Sequence, residues 1–433
     1  MTGHLLNETE RTLLEEYYKT ASGLQQRRSH LILLYDDGYL THQAAEQAGF
    51  SRSQARFWKH QFLMDGMAIF PDLLTMDLKE ELLQSPVDIS TGIEITEQNQ
   101  ALPNPSVPEQ MPFPAAIKRP GVKPGDTLAE AGRKTWCYLF SEMIQKEDPT
   151  RAGDDIEALH DMRVATRRMR SAFDVFDVAF KPKIVRRYLK GLRLAGRALG
   201  KVRDMDVLLE KLERYISTLD AGRKDGLIPL LDAWRQERES GRQALIAFLD
   251  GDAYLQFKQE FNHFVQTPGE GVQVFSQALP RAILVCEVVP TMIYTRLGSV
   301  RAYHGILSNA TDTQLHALRI EFKKLRYTVE YFREVLGVEA SQVITDLKRI
   351  QDHLGDFHDT VVACGLVTTF LSEWEDKQLT RPLVERQNPE PIVTYLAYLH
   401  AERHRLLITL PEAWNHFSQP EFRENLAKSI AVL

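Results

Sequence analysis

The sequence predicts an all-α protein in two folded parts joined by a proline-rich linker, and three observations carry that reading. Apolar residues recur at three- and four-residue steps in "LAEAGRKTWCYLFSEMI", "LIPLLDAWRQERESGRQALIAFL" and "PIVTYLAYLHAERHRLLITL", the interval at which side chains return to one face of an α-helix. Period-two alternation between turn signals, the mark of half-buried strands, is largely missing from 125–433. From 84 to 124 prolines recur every few residues and helical periodicity disappears. Proline removes backbone donors and fixes an extended geometry, so few contacts are expected to cross that linker.

The 433 residues leave room for two or three domains, each with its own core. With 53 Lys and Arg against 59 Asp and Glu, the formal charge is −6, which argues against a protein that coats nucleic acid over its whole surface. Any polyanion site must come from local clustering. Cys137, Cys286 and Cys364 are far apart and lack CxxC spacing, so buried free thiols are expected and no metal site. The first residues lack the basic and apolar regions of a signal peptide, and no uncharged apolar run is long enough to span a bilayer. The expected location is a reducing cytoplasm, with no membrane among the partners.

Within 1–83, Thr41 is the expected N-cap of "THQAAEQAG", Gly49 supplies a sharp turn, and Ser51 caps a second helix, "SRSQARFWKHQFLMDG", ending near Gly66. Ala44, Ala45, Ala48 and Phe50 are placed to pack the corner, and Trp58 to enter the core. This pattern resembles the helix-turn-helix of transposase-like and homeodomain-like modules. On that resemblance Ser51, Ser53, Gln54, Arg56 and Lys59 are the candidate DNA contacts. A scaffold or protein-contact module is the alternative.

The segment 125–433 carries the unusual chemistry. "HDMRVATRRMR" from His160 and "HALRIEFKKLRY" from His316 repeat one order of His, Arg, basic pair and Arg. At about 100° per residue, His160, Arg163, Arg167 and Arg170 fall in one helical stripe, as do His316, Arg319, Lys323 and Arg326. Arg168 and Lys324 lie off the stripe, in reach of an ion pair. A second basic helix follows each: Lys183, Arg186, Lys190, Arg193, Arg197 and Lys201 share a face in the first, and the set thins to Lys348, Arg349 and His353 in the second. Then come "LGKVRD", with Arg203 and Asp204, and "LGDFHD", with His358 and Asp359. The glycines suggest a close helix contact or a break, and the aspartates a cap or a pin for a basic neighbour.

Aligned like charges repel by a few tenths of a kcal/mol per exposed pair, roughly, and more when crowded, so folding alone does not favour two such stripes. A groove for an anion whose charge repeats along its length does favour them, with Arg forks and Lys point charges suited to phosphate. No GxxxxGK[ST] or GxGxxG in a suitable context points to a single nucleotide cradle. For His160 and His316, phosphate contact and helix orientation both stand open. A metal-dependent phosphohydrolase built on His160-Asp161 and His358-Asp359 is disfavoured, since neighbouring helical residues diverge by about 100°. Nucleic acid is the other alternative; only Tyr188 and Tyr327 lie near enough to stack on bases, and both are candidate core residues.

The paired motifs, His160-x-x-Arg163-Val164-x-x-Arg167-Arg168-x-Arg170 with Leu199-Gly200-x-x-Arg203-Asp204, and His316-x-x-Arg319-Ile320-x-x-Lys323-Lys324-x-Arg326-Tyr327 with Leu354-Gly355-x-x-His358-Asp359, resemble the CHAD family, the conserved-histidine α-helical domain. The resemblance covers most of 125–433. It implies two related four-helix halves, about 125–275 and 276–433, around a pseudo-twofold axis, and a basic groove that binds inorganic polyphosphate without an enzymatic step or a cofactor, with polyphosphate granules as a place of action. The ExExK signature of the triphosphate-tunnel enzymes often joined to this family is missing. His358 in place of Arg203, and the acids among the second basic helix, imply unequal halves.

Overall fold

The protein is described from a computed structural model covering residues 6, 8–20, 23–50, 55, 58, 59, 62, 111–153, 155–273 and 283–433. Helices dominate, and among the described residues the only β-type pairings are isolated bridges. Two compact units divide the chain, Met1–Asn104 and Pro105–Leu433.

The first unit contains α1 (Glu8–Thr20), α2 (Gly23–Asp36) and α3 (Thr41–Gln47). Its core joins Leu14, Leu31, Ile32 and Leu34 to Ala44, Ala45, Ala48 and Phe50, the corner residues expected from the sequence. Gly49 has φ +70°, the left-handed turn that glycine adopts without strain. Thr41 is the first helical residue and not the cap. Leu40 occupies the cap position, and Gln43 reaches back so that its Oε1 accepts from Leu40 N at 3.1 Å.

Among the described residues of the second unit, ten helices longer than ten residues follow: α4 (Leu128–Gln145), α5 (Ile156–Phe176), α6 (Pro182–Ser217), α7 (Ile228–Asp250), α8 (Asp252–Gln266), α9 (Val285–Arg301), α10 (Asp312–Tyr331), α11 (Ala340–Leu379), α12 (Glu390–Ser418) and α13 (Pro420–Ile430). Their starts follow from local chemistry. Thr127 Oγ accepts from Glu130 N and caps α4, Asp155 caps α5, and Thr311 with Gln314 forms a reciprocal box at α10. Pro182 opens α6, where its missing N–H costs nothing.

The order α4–α8 is repeated by α9–α13, so each half has five principal helices where four were expected; the short fifth helix closes each bundle. The two halves also begin on one another: Leu128 N donates to Ile283 O at 2.8 Å and Val285 N to Asp126 O at 3.0 Å. Trp136 of α4 is fully buried, packs tilted against Phe173 with centroids 4.2 Å apart, and also meets Phe176, Phe180 and Phe264. Each fully buried aromatic of this kind contributes about 1.5–3 kcal/mol. Phe176 continues onto Tyr331 and Phe332 of the second half, and α5 packs on α10. The halves thus share one core.

The stretch 111–124 is not the contact-poor linker expected of it. Lacking many N–H groups, its extended backbone offers carbonyls: Asn262 Nδ2 donates to Met111 O at 2.8 Å and Gln266 Nε2 to Pro112 O at 2.9 Å. Val122 is buried, and its N donates to Glu334 Oε2 at 2.8 Å. The linker's earlier part, 84–110, lies outside the described residues.

Candidate functional site: a cationic seam between the two halves

The stripes on α5 and α10 meet where those helices pack. Arg163, Arg167, Arg319 and Lys323 lie within one another's electrostatic reach, and Arg203 of α6 joins them beside Arg163 and His160. All five are half-buried. Two carboxylates stand among them. Asp204 Oδ1 accepts from Arg163 Nη2 at 2.9 Å, and Asp359 acts on Arg163, Arg319 and Lys323. The aspartates therefore pin basic neighbours and do not cap, since α6 and α11 run through both positions.

Gly200 and Gly355 do equivalent work in the two halves. A Cβ at Gly200 would sit 3.6 Å from Arg163 Nε, and one at Gly355 3.7 Å from Arg319 Nε. Of the two readings of "LG", close contact is the observed one: each arginine lies against the bare backbone of the next helix. A longer side chain there would push the guanidinium out.

The cations repel, and the structure leaves that repulsion largely uncompensated. Burial pushes the Lys323 ammonium down to about 7, reinforced by Arg319, Arg167 and Arg163 and only partly opposed by Asp359. Burial lowers Arg163 and Arg319 as well. The Nε atoms of Arg167 and Arg319 are buried with no acceptor among the described residues, an expensive condition for a charged donor. His316 Nδ1 lies 3.2 Å from His358 Nδ1, so one ring donates and the other accepts. Burial lowers both, and Arg319 and Lys323 lower them further. His160 is lowered by burial first and then by Arg203, and its Nδ1 has no partner among the described residues.

Other residues expected on the basic face lie elsewhere. Arg168 Nη2 pairs with Glu330 at 2.8 Å, and Arg326 pairs with Glu330 and also donates from Nε to Gln351 at 2.9 Å. Arg326 is thus drawn off the stripe because a glutamate one turn along its own helix, itself held by Arg168, captures it. Lys324 pairs with Glu321 and Lys201 with Glu237. Lys183, Arg186, Lys190 and Arg197 are exposed along α6, Arg193 is half-buried, and Arg186 Nε bonds Pro182 O. Arg170 is exposed and lies over Gly196 of α6. Lys348 and Arg349 are exposed on α11, and His353 Nε2 meets Leu406 O at 2.8 Å.

Asp161 pairs with Lys146 at 2.8 Å, away from any joint action with His160. Among the described residues no three His, Cys, Asp or Glu converge as metal ligands. Tyr188 and Tyr327 are buried core residues, and the three cysteines are free thiols. In the first unit, Ser51, Ser53, Gln54 and Arg56 lie outside the described residues. Lys59 Nζ sits 4.2 Å from the centroid of the Tyr35 ring, and Arg28 covers Trp58 at 3.5 Å.

With this geometry in hand, the match of the CHAD domain to residues 137–368 is decisive, because it spans more than half of the chain and both basic repeats. The chain belongs to the CHAD family. The crystal structure of the CHAD domain from the plant Ricinus communis superposes with a TM-score of 0.56 at 21% identity, over 72% of this chain and 97% of that one. PptA from Streptomyces chartreusis does so with a TM-score of 0.52 at 14% identity, over 68% and 100%. Those likenesses establish the CHAD fold. Two uncharacterized proteins of Mycobacterium tuberculosis, one from strain CDC 1551 / Oshkosh and one from H37Rv, are each 28% identical over 219 residues. The alignments cover 48% of this chain and 40% of each of those proteins. No helix among the described residues is long and apolar enough to cross a membrane.

Proposed function

We propose that this CHAD domain binds inorganic polyphosphate, without chemical change, in the seam between α5, α6 and α10. The observation that carries the reading is the convergence of Arg163, Arg167, Arg203, Arg319 and Lys323 from both halves against only Asp204 and Asp359. Such an arrangement weakens the free protein and is relieved by a polyanion. A thin phosphate chain brings one negative charge per unit to successive guanidinium forks, with Lys323 as a point charge between them. The exposed Lys190 and Arg197, with Arg193 beside them on α6, extend the track for longer chains. Binding long chains places the protein at polyphosphate granules.

Polyphosphate is favoured over nucleic acid by the burial of Tyr188 and Tyr327, which withdraws the two tyrosines beside the basic stripes from base stacking. The test is titration of the purified chain with short and long polyphosphate at two salt concentrations, with an Arg167→Glu/Lys323→Glu variant beside it. Tight binding that grows with chain length, weakens with salt and is lost in the variant supports the reading. Equal displacement by DNA of matched charge argues for a general polyanion site instead, and a regulatory partnership of the first unit with DNA or protein is tested by deleting 1–104.

A further inference from the structure

A cavity of about 490 Å³ opens between α9, α12 and α13, on residues that the seam does not use. Its floor is apolar and aromatic. Phe417 is buried between Trp414, 5.4 Å away by ring centroid, and Phe422, 4.7 Å away, and Leu297 closes the side. The rim carries Arg301 from the end of α9 and Arg423 from the first turn of α13, both exposed. Neither guanidinium has a carboxylate or hydrogen-bond partner among the described residues, whereas most other arginines around the bundle are paired.

The polar group at the mouth is held in one form. Trp414 Nε1–H donates to His304 Nδ1 at 3.1 Å, which makes that nitrogen the acceptor and leaves Nε2 as the donor. Arg301, Arg423 and His304 thus all present donors at the mouth, with the Ser418 hydroxyl beside them. The floor takes a flat apolar body, and the volume falls in the range of sites for small organic ligands. Two arginines from different helices match a group with several anionic oxygens better than a single carboxylate, which one fork satisfies.

We infer that this cavity is a second binding site, for a nucleoside phosphate: the base lies on Phe417 and Phe422, and the phosphates meet Arg301 and Arg423. Polyphosphate lacks the flat body, so the two sites select different anions. The test is calorimetric titration of the full chain with adenosine diphosphate, adenosine, inorganic diphosphate and benzoate. Adenosine diphosphate is expected to bind about tenfold or more tightly than any of the other three, the worth of one charged hydrogen bond or one stacked ring. Arg301→Ala/Arg423→Ala is expected to weaken it by a similar factor, and Ser418→Trp, which plugs the mouth and keeps both arginines, to abolish it. Arg167→Glu/Lys323→Glu is expected to leave it unchanged. No binding at millimolar concentration overturns the inference, as does binding that survives both cavity changes, or inorganic diphosphate or benzoate performing as well as the nucleotide. Loss of nucleotide binding in the seam variant alone would assign the nucleotide to the polyphosphate site and overturn it too.

Discussion

Lys323 offers the sharpest test of the seam, because its ammonium is held at about 7 by burial and by three arginines. A phosphate chain laid across Arg163, Arg167 and Arg319 cancels the repulsion and accepts the ammonium hydrogens, returning the group toward its ordinary value. At pH 8.5 the free protein then carries Lys323 roughly 3% protonated and the complex almost fully so, a difference of about one proton taken up per chain bound. Affinity consequently falls by about a factor of ten per pH unit above 7 until the bound value is reached. The histidines of the seam are all lowered from their ordinary value, by burial first, which opposes their charging at this pH. The assay is calorimetry at pH 8.5 in buffers of different ionisation enthalpy, on wild type, Lys323→Arg and Lys323→Met. Uptake near one proton in wild type and none in either variant is expected. Equal uptake in Lys323→Arg, or none in wild type, would refute the placement of Lys323 against the ligand.

The same group governs stability without ligand. The unfolded chain holds the Lys323 proton up to its ordinary value near 10.4 and the folded chain only to about 7, so stability rises with pH across that window. Urea unfolding at pH 7 and 9 should show the rise in wild type and its loss in Lys323→Met. Glu330→Gln strips Arg168 and Arg326 of their shared carboxylate and should cost about 2–4 kcal/mol, read from the urea midpoint. On α6, two glycines should respond oppositely. Gly191→Ala meets Phe257 Cδ2 at 2.2 Å and loses about 1–3 kcal/mol, whereas Gly200→Ala has room beside Arg163 and gains up to about 1 kcal/mol of helix propensity. Deleting 1–124 should lower the melting temperature of the second unit below that left by deleting 1–104, as the Val122 and Met111 contacts go.

The helical class and the repeat were legible because they rest on periodicity and on local order of residues. Arg163, Arg167, Arg319 and Lys323 could be placed on stripes by 100° steps alone, and Arg203 by its position after "LG". What the stripes could not show was that they face one another across the join of the halves, since that depends on long-range packing of α5 on α10. The capture of Arg326 was half legible: Glu330 stands four residues on, the usual helical pairing distance, but Arg168 comes from the other half. The docked stretch 111–124 was missed because proline density reads as a spacer, while its carbonyls find Asn262 and Gln266 only in the folded chain.

The reciprocal pairing of Leu128 with Ile283 and of Val285 with Asp126 has a consequence for biosynthesis. The first residues of α4 leave the ribosome well before their partners exist. Some 160 residues must be added, which takes roughly 8–30 s at ordinary elongation rates. Through that interval Phe176 has its first-half neighbour Trp136 but not Tyr331 and Phe332, and Arg163 and Arg167 lack the opposing stripe. A nascent first half therefore offers both an unfinished apolar face to chaperones and a cationic helix that is not yet strained. On the proposed function, the capacity to hold a long anion arrives late and all at once, when the second half closes on the first.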